Sequence, residues 1–123
     1  MLRLRTLGTI AVIAIGLAAT PAMAHPKLLS VNPAADASGS TAPKEIKLNF
    51  SEGVIAKFSG LELKDDSGKT VATGVPATDP KDQKQLIVSL PEPLAAGRYT
   101  VSWHAVSEDT HRVKGQYSFT VNR

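Results

Sequence analysis

The stretch that decides the fold is Gly97-Arg98-Tyr99-Thr100-Val101-Ser102-Trp103-His104-Ala105-Val106. Its odd-numbered positions from 99 to 105 are apolar or aromatic, and the positions between them are polar. A period of two places alternate side chains on opposite faces of an extended chain. The pattern therefore predicts a β-strand with one buried face, the longest such strand in the chain.

The same alternation recurs in six shorter segments, which are separated by turn-forming residues. No segment has a convincing helical period, and Asp36–Ala42 and Thr78–Lys84 are predicted to be loops. We therefore predict an all-β fold, a small antiparallel Greek-key sandwich or barrel of about seven strands. The apolar positions of the other six strands are Leu29 and Val31; Ile46, Leu48 and Phe50; Leu61 and Leu63; Val71; Leu86, Val88 and Leu90; and Tyr117, Phe119 and Val121.

A tyrosine corner is predicted where the longest strand begins. Leu94, Gly97 and Tyr99 have the spacing found in immunoglobulin-like sandwiches, in which the tyrosine hydroxyl bonds to a nearby backbone group. We expect this role to be structural.

Residues 1–24 have the features of a cleaved secretory signal peptide. The apolar run has roughly half the ~20 residues that a membrane-spanning helix needs. We expect a soluble exported protein whose single domain, residues 25–123, begins with His25 and does not insert into the membrane. The three features are a positive start at Arg3 and Arg5, an apolar run from about Thr9 to Ala19, and an A-x-A cleavage site at Ala22-Met23-Ala24.

The composition of the processed chain limits its chemistry. The chain has no cysteine, and its only two methionines, Met1 and Met23, lie in the signal peptide. Any metal site must therefore use nitrogen and oxygen ligands, which suit Cu(II), Ni(II) or Zn(II) rather than Cu(I). Loss of Arg3 and Arg5 lowers the formal net charge from +3 to +1, and the remaining charges are interspersed. We expect no nucleic-acid surface and no polybasic membrane patch.

Cleavage after Ala24 would create a chelating group. The new α-amine and Nδ1 of His25 can close a six-membered ring around a metal ion. Pro26 has no backbone N–H, so the next peptide nitrogen cannot become a ligand. The N-terminus thus offers two nitrogens, and the other ligands must come from elsewhere in the fold. The alternative is that cleavage merely happens to leave histidine first.

The other half of a metal site is predicted at Asp109 and His111. Two residues apart in an extended chain, both side chains leave the same face. With His25 they would supply three nitrogens and one oxygen, a set that suits tetragonal Cu(II). The alternative for this pair is a surface hairpin in which Asp109 forms an Asx-turn and His111 is solvated. Glu52 and His104 are weaker candidates, each placed beside the site rather than among its ligands.

The chain resembles the CopC family of periplasmic copper-binding proteins. The resemblance covers nearly all of residues 25–123 and rests on several motifs in order. These are His25-Pro26-Lys27-Leu28 after the cleavage site, Leu48-Asn49-Phe50-Ser51-Glu52, Leu94–Trp103, Ser107-Glu108-Asp109-Thr110-His111, and Gly115-Gln116-Tyr117-Ser118-Phe119.

The resemblance implies a cupredoxin-like or immunoglobulin-like β-sandwich that binds copper tightly and stores it or hands it on. It places the Cu(II) ligands, for one ion per domain, on His25, Asp109 and His111. It also implies a periplasmic, monomeric protein of copper homeostasis and resistance, with an inner-membrane copper importer of the CopD type as partner.

The sequence departs from the family pattern in three places. Some members have a methionine-rich loop that binds Cu(I), whereas the corresponding region, about Lys64–Val75, has no methionine. His104 stands where many members have arginine, and Arg112 where many have proline. We therefore expect only the Cu(II) site, with Arg112 adding positive charge near the metal.

Two other functions fit parts of the sequence. The first is a copper oxygenase of the histidine-brace type acting on polysaccharide, but Asp109 would fill a position that oxygen chemistry needs open. The second is an immunoglobulin-like adhesion or carbohydrate-binding module without metal, which explains the strands but not the histidines. Ser107, Asp109 and His111 lie too close together in sequence to form a catalytic triad. We therefore expect a copper carrier rather than an enzyme, with zinc as a chemically possible competitor.

Overall fold

A computed structural model describes residues 25–122, so the predicted signal peptide lies outside the described residues. Two β-sheets pack face to face around one apolar core. None of the described residues belongs to a helix of the length and apolarity needed to cross a bilayer. In chain order the strands are β1 (Leu28–Asn32), β2 (Ser38–Gly39), β3 (Glu45–Phe50), β4 (Gly60–Lys64), β5 (Thr70–Val71), β6 (Ala77–Asp79), β7 (Asp82–Ser89), β8 (Gly97–Val106) and β9 (Arg112–Val121), with a 3₁₀ turn at Ala56–Phe58.

The two sheets have four and five strands. The four-stranded sheet has the order β1-β3-β7-β6 and the five-stranded sheet the order β2-β9-β8-β4-β5. All pairs are antiparallel except β2 with β9, which run parallel over two residues. The prediction of a small antiparallel β-sandwich is confirmed.

The long β8–β9 hairpin is the centre of the larger sheet. Its pairing is unbroken from Gly97↔Val121 to Val106↔Arg112. The four apolar side chains predicted to face inward from β8 are buried, and Trp103 contacts Phe50 of the other sheet edge-on, with 5.5 Å between ring centroids. Burying such side chains contributes roughly 1.5–3 kcal/mol each, so this hairpin supplies much of the core.

The predicted tyrosine corner is present. The Tyr99 hydroxyl donates a hydrogen bond of 2.7 Å to the carbonyl oxygen of Ala95. The Tyr99 ring also stacks on Phe119 of the neighbouring strand, with centroids 5.6 Å apart. Gly97 has φ = 147°, a conformation that a side chain would disfavour, which explains the glycine at this bend.

The predicted inward position of Leu29 is wrong. Leu29 is 66% exposed, whereas Leu28 and Val31 pack against the core. The pairing of β1 with β3 shifts register between Leu28 and Ser30. A bulge adds one residue to one strand and breaks the strict alternation, so Leu28 and Val31 share a face although they are three residues apart.

The two segments predicted as loops contain strand residues. Within Thr78–Lys84, β6 and β7 form a hairpin in which Asp79 pairs with Asp82 around Pro80-Lys81. β6, an edge strand, and the first four residues of β7 are largely polar, so the hydrophobic pattern indicated only the second half of β7. Within Asp36–Ala42, β2 is held by pairing with β9. The described chain therefore has nine strands rather than about seven.

Gly115 leaves space for the Trp103 indole, and this contact predicts a stability effect. A Cβ at position 115 would lie 2.5 Å from Cζ2 of Trp103, which is closer than atoms can approach. We expect Gly115→Ala to lower the free energy of unfolding by about 1–3 kcal/mol, the usual cost of overpacking. Urea unfolding followed by Trp103 fluorescence measures this loss.

The matched control is Gly39→Ala, because a Cβ there meets nothing within 4 Å. Equal stability of the two variants would contradict the packing argument.

Candidate metal centre

Asp109 and His111 lie in the turn that joins β8 to β9. The Ser107 N–H donates to the His111 carbonyl at 2.9 Å and the Thr110 N–H donates to the Ser107 carbonyl at 2.9 Å, which closes a three-residue loop. Thr110 has φ = 71°, the left-handed residue that such hairpin loops require. The hairpin therefore fixes Asp109 and His111 on a rigid support.

The Asp109 carboxylate is held from both sides. Its Oδ1 accepts a hydrogen bond from the Ser107 hydroxyl, and its Oδ2 lies 3.0 Å from Nδ1 of His111. The Ser107 hydroxyl bond, followed by the backbone N–H and side chain of His111, holds the pKa of Asp109 below its ordinary value, against a smaller opposing effect of burial. Asp109 is thus an oriented, ionised carboxylate beside an imidazole.

The N-terminal segment brings His25 to this turn. Lys27 is fixed to the end of β3 by two hydrogen bonds of 2.8 Å: its N–H donates to the Ser51 hydroxyl, and its carbonyl accepts from the Ser51 N–H. Pro26 is buried, whereas His25 is exposed. This attachment places the His25 ring 4.9 Å from the ring of His111, centroid to centroid, at an interplanar angle of 60°.

The structure therefore brings His25, Asp109 and His111 to one end of the sandwich. Among residues 25–122, however, no three histidine or acidic side chains are close enough together to hold a metal ion. The α-amine of His25 is still part of a peptide bond in the full-length chain. The arrangement has two imidazoles and a carboxylate near one another, but it is not a formed coordination sphere.

Glu52 and His104 occupy different positions relative to these residues. Glu52 lines a shallow depression that also includes Ser51, Glu108 and Asp109, so it lies at the same end of the molecule. His104 pairs with Lys114 in β8–β9, whereas His111 lies at an odd position of the same hairpin. Side chains alternate between faces, so His104 lies on the outer face of the sheet, away from His111. The structure does not bring His104 together with the other candidates.

Sequence reasoning missed two serines that position the candidate ligands. Ser107 continues the inward-facing odd positions of β8 and is only 1% exposed, so its buried hydroxyl needs a hydrogen-bond partner, which is the exposed Asp109. A polar residue at an inward-facing position of β8 is the sequence feature that could have indicated this hydrogen bond. Ser51 had no such signal, because its contact with Lys27 joins residues 24 positions apart.

Replacement of Ser107 predicts a change in the titration of Asp109. In metal-free Ser107→Ala, we expect the pKa of Asp109 to rise toward its ordinary value, because the largest cause of its depression is removed. A depressed carboxyl pKa stabilises the fold above the ordinary pKa, and this stabilisation is lost as the pH falls through the folded-state value. The stability difference between wild type and variant should therefore be largest near neutral pH and shrink in acid. NMR titration of the carboxyl carbon and unfolding at several pH values measure both effects.

Ser67→Ala is the matched control for this experiment. The Ser67 hydroxyl lowers the pKa of Asp65 in the same way, in a loop of the five-stranded sheet. The control should shift Asp65 and leave Asp109 unchanged. An unshifted Asp109 in Ser107→Ala would contradict the assigned contact.

Comparison with known protein families identifies the family and supports the fold. Residues 28–122 match the CopC domain. The chain belongs to the CopC family. Protein YobA of Escherichia coli K12 is 46% identical over 103 residues, which cover 83% of each chain. Copper resistance protein C of Escherichia coli is 44% identical over 106 residues, covering 81% of this chain and 83% of the relative.

A solved CopC-family structure has the same architecture. The crystal structure of PcoC, described as a methionine-rich copper resistance protein from Escherichia coli, matches with a TM-score of 0.71 and 44% identity. The match covers 80% of this chain and 100% of PcoC. The CopC assignment that the sequence motifs suggested is thus confirmed, together with the β-sandwich fold.

Proposed function

We propose that the processed protein binds one Cu(II) ion at its N-terminus and acts in copper resistance as a periplasmic copper carrier. The observation that carries the proposal is the approach of the His25 ring to within 4.9 Å of the His111 ring, whose Nδ1 contacts Asp109. The names of the relatives support copper as the cargo, since one of them is a copper resistance protein.

The donor types favour Cu(II). The amine and imidazole of His25, the Asp109 carboxylate and the His111 imidazole are nitrogen and oxygen donors, which suit Cu(II) in a tetragonal arrangement. PcoC is described as methionine-rich, whereas residues 25–123 contain no methionine. We therefore infer a Cu(II) site without the sulfur-based Cu(I) site. Zn(II) would accept the same donors, but the Irving–Williams order places copper above zinc.

The metal-free contacts explain how the site would open for an ion. The carboxylate of Asp109 and Nδ1 of His111 are paired with each other, so binding through either atom exchanges this contact for one to the metal. The Ser107 hydroxyl keeps Asp109 oriented during the exchange. The amine of His25 can contribute only in the processed protein, because it exists only after cleavage following Ala24.

Glu52 is proposed as an outer support of the site. It shares the depression beside Asp109 and is partly buried. A carboxylate there would accept a hydrogen bond from the N-terminal amine or from a metal-bound water, which orients ligands in metal sites generally.

The experiment that tests the function is a copper titration of the exported protein. N-terminal sequencing should give His-Pro, and metal analysis should give one copper per chain. Cu(II) should quench Trp103 fluorescence with a one-to-one endpoint and give a tetragonal electron-resonance spectrum with nitrogen couplings. No quenching together with no copper resonance would overturn the proposal and favour a metal-free module.

Delivery of copper to an inner-membrane importer of the CopD type is the second part of the proposal. Loss of copper accumulation in cells that lack this protein, restored by the wild type but not by His111→Ala, would support delivery. Unchanged accumulation would leave buffering of periplasmic copper as the function.

A further inference from the structure

The first half of β9 is an open sheet edge that starts next to His111. In the five-stranded sheet β9 lies between β8 and the short β2, and β2 covers only Thr120 and Val121. Arg112, Lys114 and Gln116 are exposed. An unpaired strand edge is a template on which another extended chain can add.

The hydrogen bonds show which residues face the open edge. The Ser118 carbonyl accepts from the Asp36 N–H at 2.7 Å, and the Thr120 N–H donates to the Ala37 carbonyl at 2.9 Å, both on the side away from β8. In an antiparallel ladder, both backbone groups of a residue point to the same neighbour. The even-numbered positions 112, 114 and 116 therefore direct their N–H and C=O groups outward, and no backbone hydrogen bond within residues 25–122 reaches them.

The side chains at this edge are basic. Arg112 and Lys114 lie on the outer face at alternate positions, and His104 lies directly opposite Lys114 on β8. Arg112 and Lys114 line a depression on the outer face of the five-stranded sheet. The acidic residue that lines it, Glu62, belongs to β4, which is separated from β9 by β8. An added strand would place its own outer-face side chains beside Arg112 and Lys114, at about 4.5–5.5 Å between Cβ atoms.

Charge argues against a second copy of the chain as the occupant. Two copies of β9 paired antiparallel over residues 112–116 would place Lys114 directly opposite Lys114 of the second copy, with Arg112 of that copy diagonal to it. Like charges directly opposite each other destabilise strand pairs. A segment with acidic residues at alternate positions fits the same edge favourably.

We propose that the edge of β9 from Arg112 to Gln116 is a docking site for an extended acidic segment of a partner protein, which adds to the sheet as a further strand. The backbone groups at 112, 114 and 116 provide the affinity, and the Arg112 and Lys114 side chains select acidic residues at every second position. The acidic turn residues Glu108 and Asp109 repel an acidic side chain beyond Arg112, which limits how far the segment extends. Docking there would bring the partner beside His111. The functional meaning of that position rests on the proposed copper site.

The test uses the metal-free protein and a synthetic peptide with alternating glutamate and valine. Amide hydrogen exchange and NMR shifts are followed residue by residue at peptide concentrations up to the millimolar range. The amides of 112, 114 and 116 should exchange rapidly in the free protein and become protected with the peptide, whereas those of 113, 115 and 117 are protected in both states. A peptide of the same composition with its glutamates in one block should bind at least about fivefold more weakly, because its charges do not match the alternation.

Two variants and one control separate the side-chain and backbone contributions to peptide binding. Lys114→Glu should weaken binding of the alternating peptide about tenfold, by turning attraction into repulsion. Lys81→Glu, the same charge change in the β6–β7 hairpin of the other sheet, should change it less than about twofold. Gln116→Pro removes an outward N–H without changing charge or touching a β8 bond, and should also weaken binding.

The proposal is overturned if the alternating peptide protects none of the three outward amides, if both peptides bind equally, or if Lys114→Glu and Lys81→Glu behave alike. A concentration-dependent dimer that protects the same amides would identify a second copy as the occupant and would also overturn it. Because copper is absent throughout, failure of the copper site leaves these results unaffected, and the titration with Cu(II) tests that site separately.

Discussion

A four-residue Gly-Ser-Gly-Ser extension before His25 is expected to weaken Cu(II) binding by more than about 100-fold. The extension converts the His25 amine into a peptide nitrogen and moves the free amine several residues away, so the six-membered chelate cannot form. Loss of a group that only orients a ligand typically costs 10–100-fold in metal affinity, and loss of a ligand atom should exceed this. The measurement is competition with a Cu(II) chelator of known affinity. The extension should have at least four residues. One or two added residues would make His25 the second or third residue, where the new amine, the intervening peptide nitrogens and the imidazole form a different chelate for Cu(II).

The matched control carries the same extension after Arg123. It has the same added residues and mass, but His25 remains first, so its Cu(II) affinity should equal that of the processed protein. Both extended forms should retain the wild-type unfolding temperature, since His25 is exposed and the chain is fixed to the sheet from Lys27 onward. Equal copper affinity of the two forms would show that the amine is not a ligand.

The strands that face a core on one side were predictable from the sequence. In β3 and β8 the alternation is strict, and the structure buries the residues that it indicates. The edge strands β2 and β6 were not predictable, because they are polar on both faces and are held by their neighbours. Leu29 was misplaced because a bulge depends on the pairing partner rather than on the local pattern.

The candidate site was predictable only in part from the local sequence. Asp109 and His111 share a hairpin, so their spacing alone indicates that they lie together. Their contact with His25 depends on the Lys27–Ser51 pairing, which no local pattern encodes. The family motifs supplied this long-range information, and the 4.9 Å separation of the His25 and His111 rings is consistent with it.

Copper affinity is expected to fall by at least about 100-fold between pH 7 and pH 5. An α-amine has an ordinary pKa of about 7.7–8.0, so throughout this interval a proton must leave for each copper that binds, and affinity falls about tenfold per pH unit. The imidazoles must also bind as neutral ligands, which steepens the fall. Asp109 adds nothing in this interval, because the Ser107 hydroxyl keeps its pKa below the ordinary value and the carboxylate stays ionised. Chelator competition at a series of pH values gives the slope.

The slope of copper affinity against pH also separates the contribution of the amine from that of the imidazoles. In the N-terminally extended protein the amine no longer binds the metal, so the number of protons released per copper should be lower by one while the imidazole contribution remains. The C-terminally extended control should keep the full slope. A profile that is flat to pH 4 would exclude the proposed ligands altogether, whereas equal slopes in the two extended forms would exclude the amine and leave the imidazoles. Ser107→Ala removes the group that orients Asp109, so its copper affinity should be lower than that of the wild type at every pH. Because it also raises the pKa of Asp109, its slope should match the wild type near neutrality and be steeper at the acidic end. That divergence would attribute the carboxylate part of the profile to Asp109.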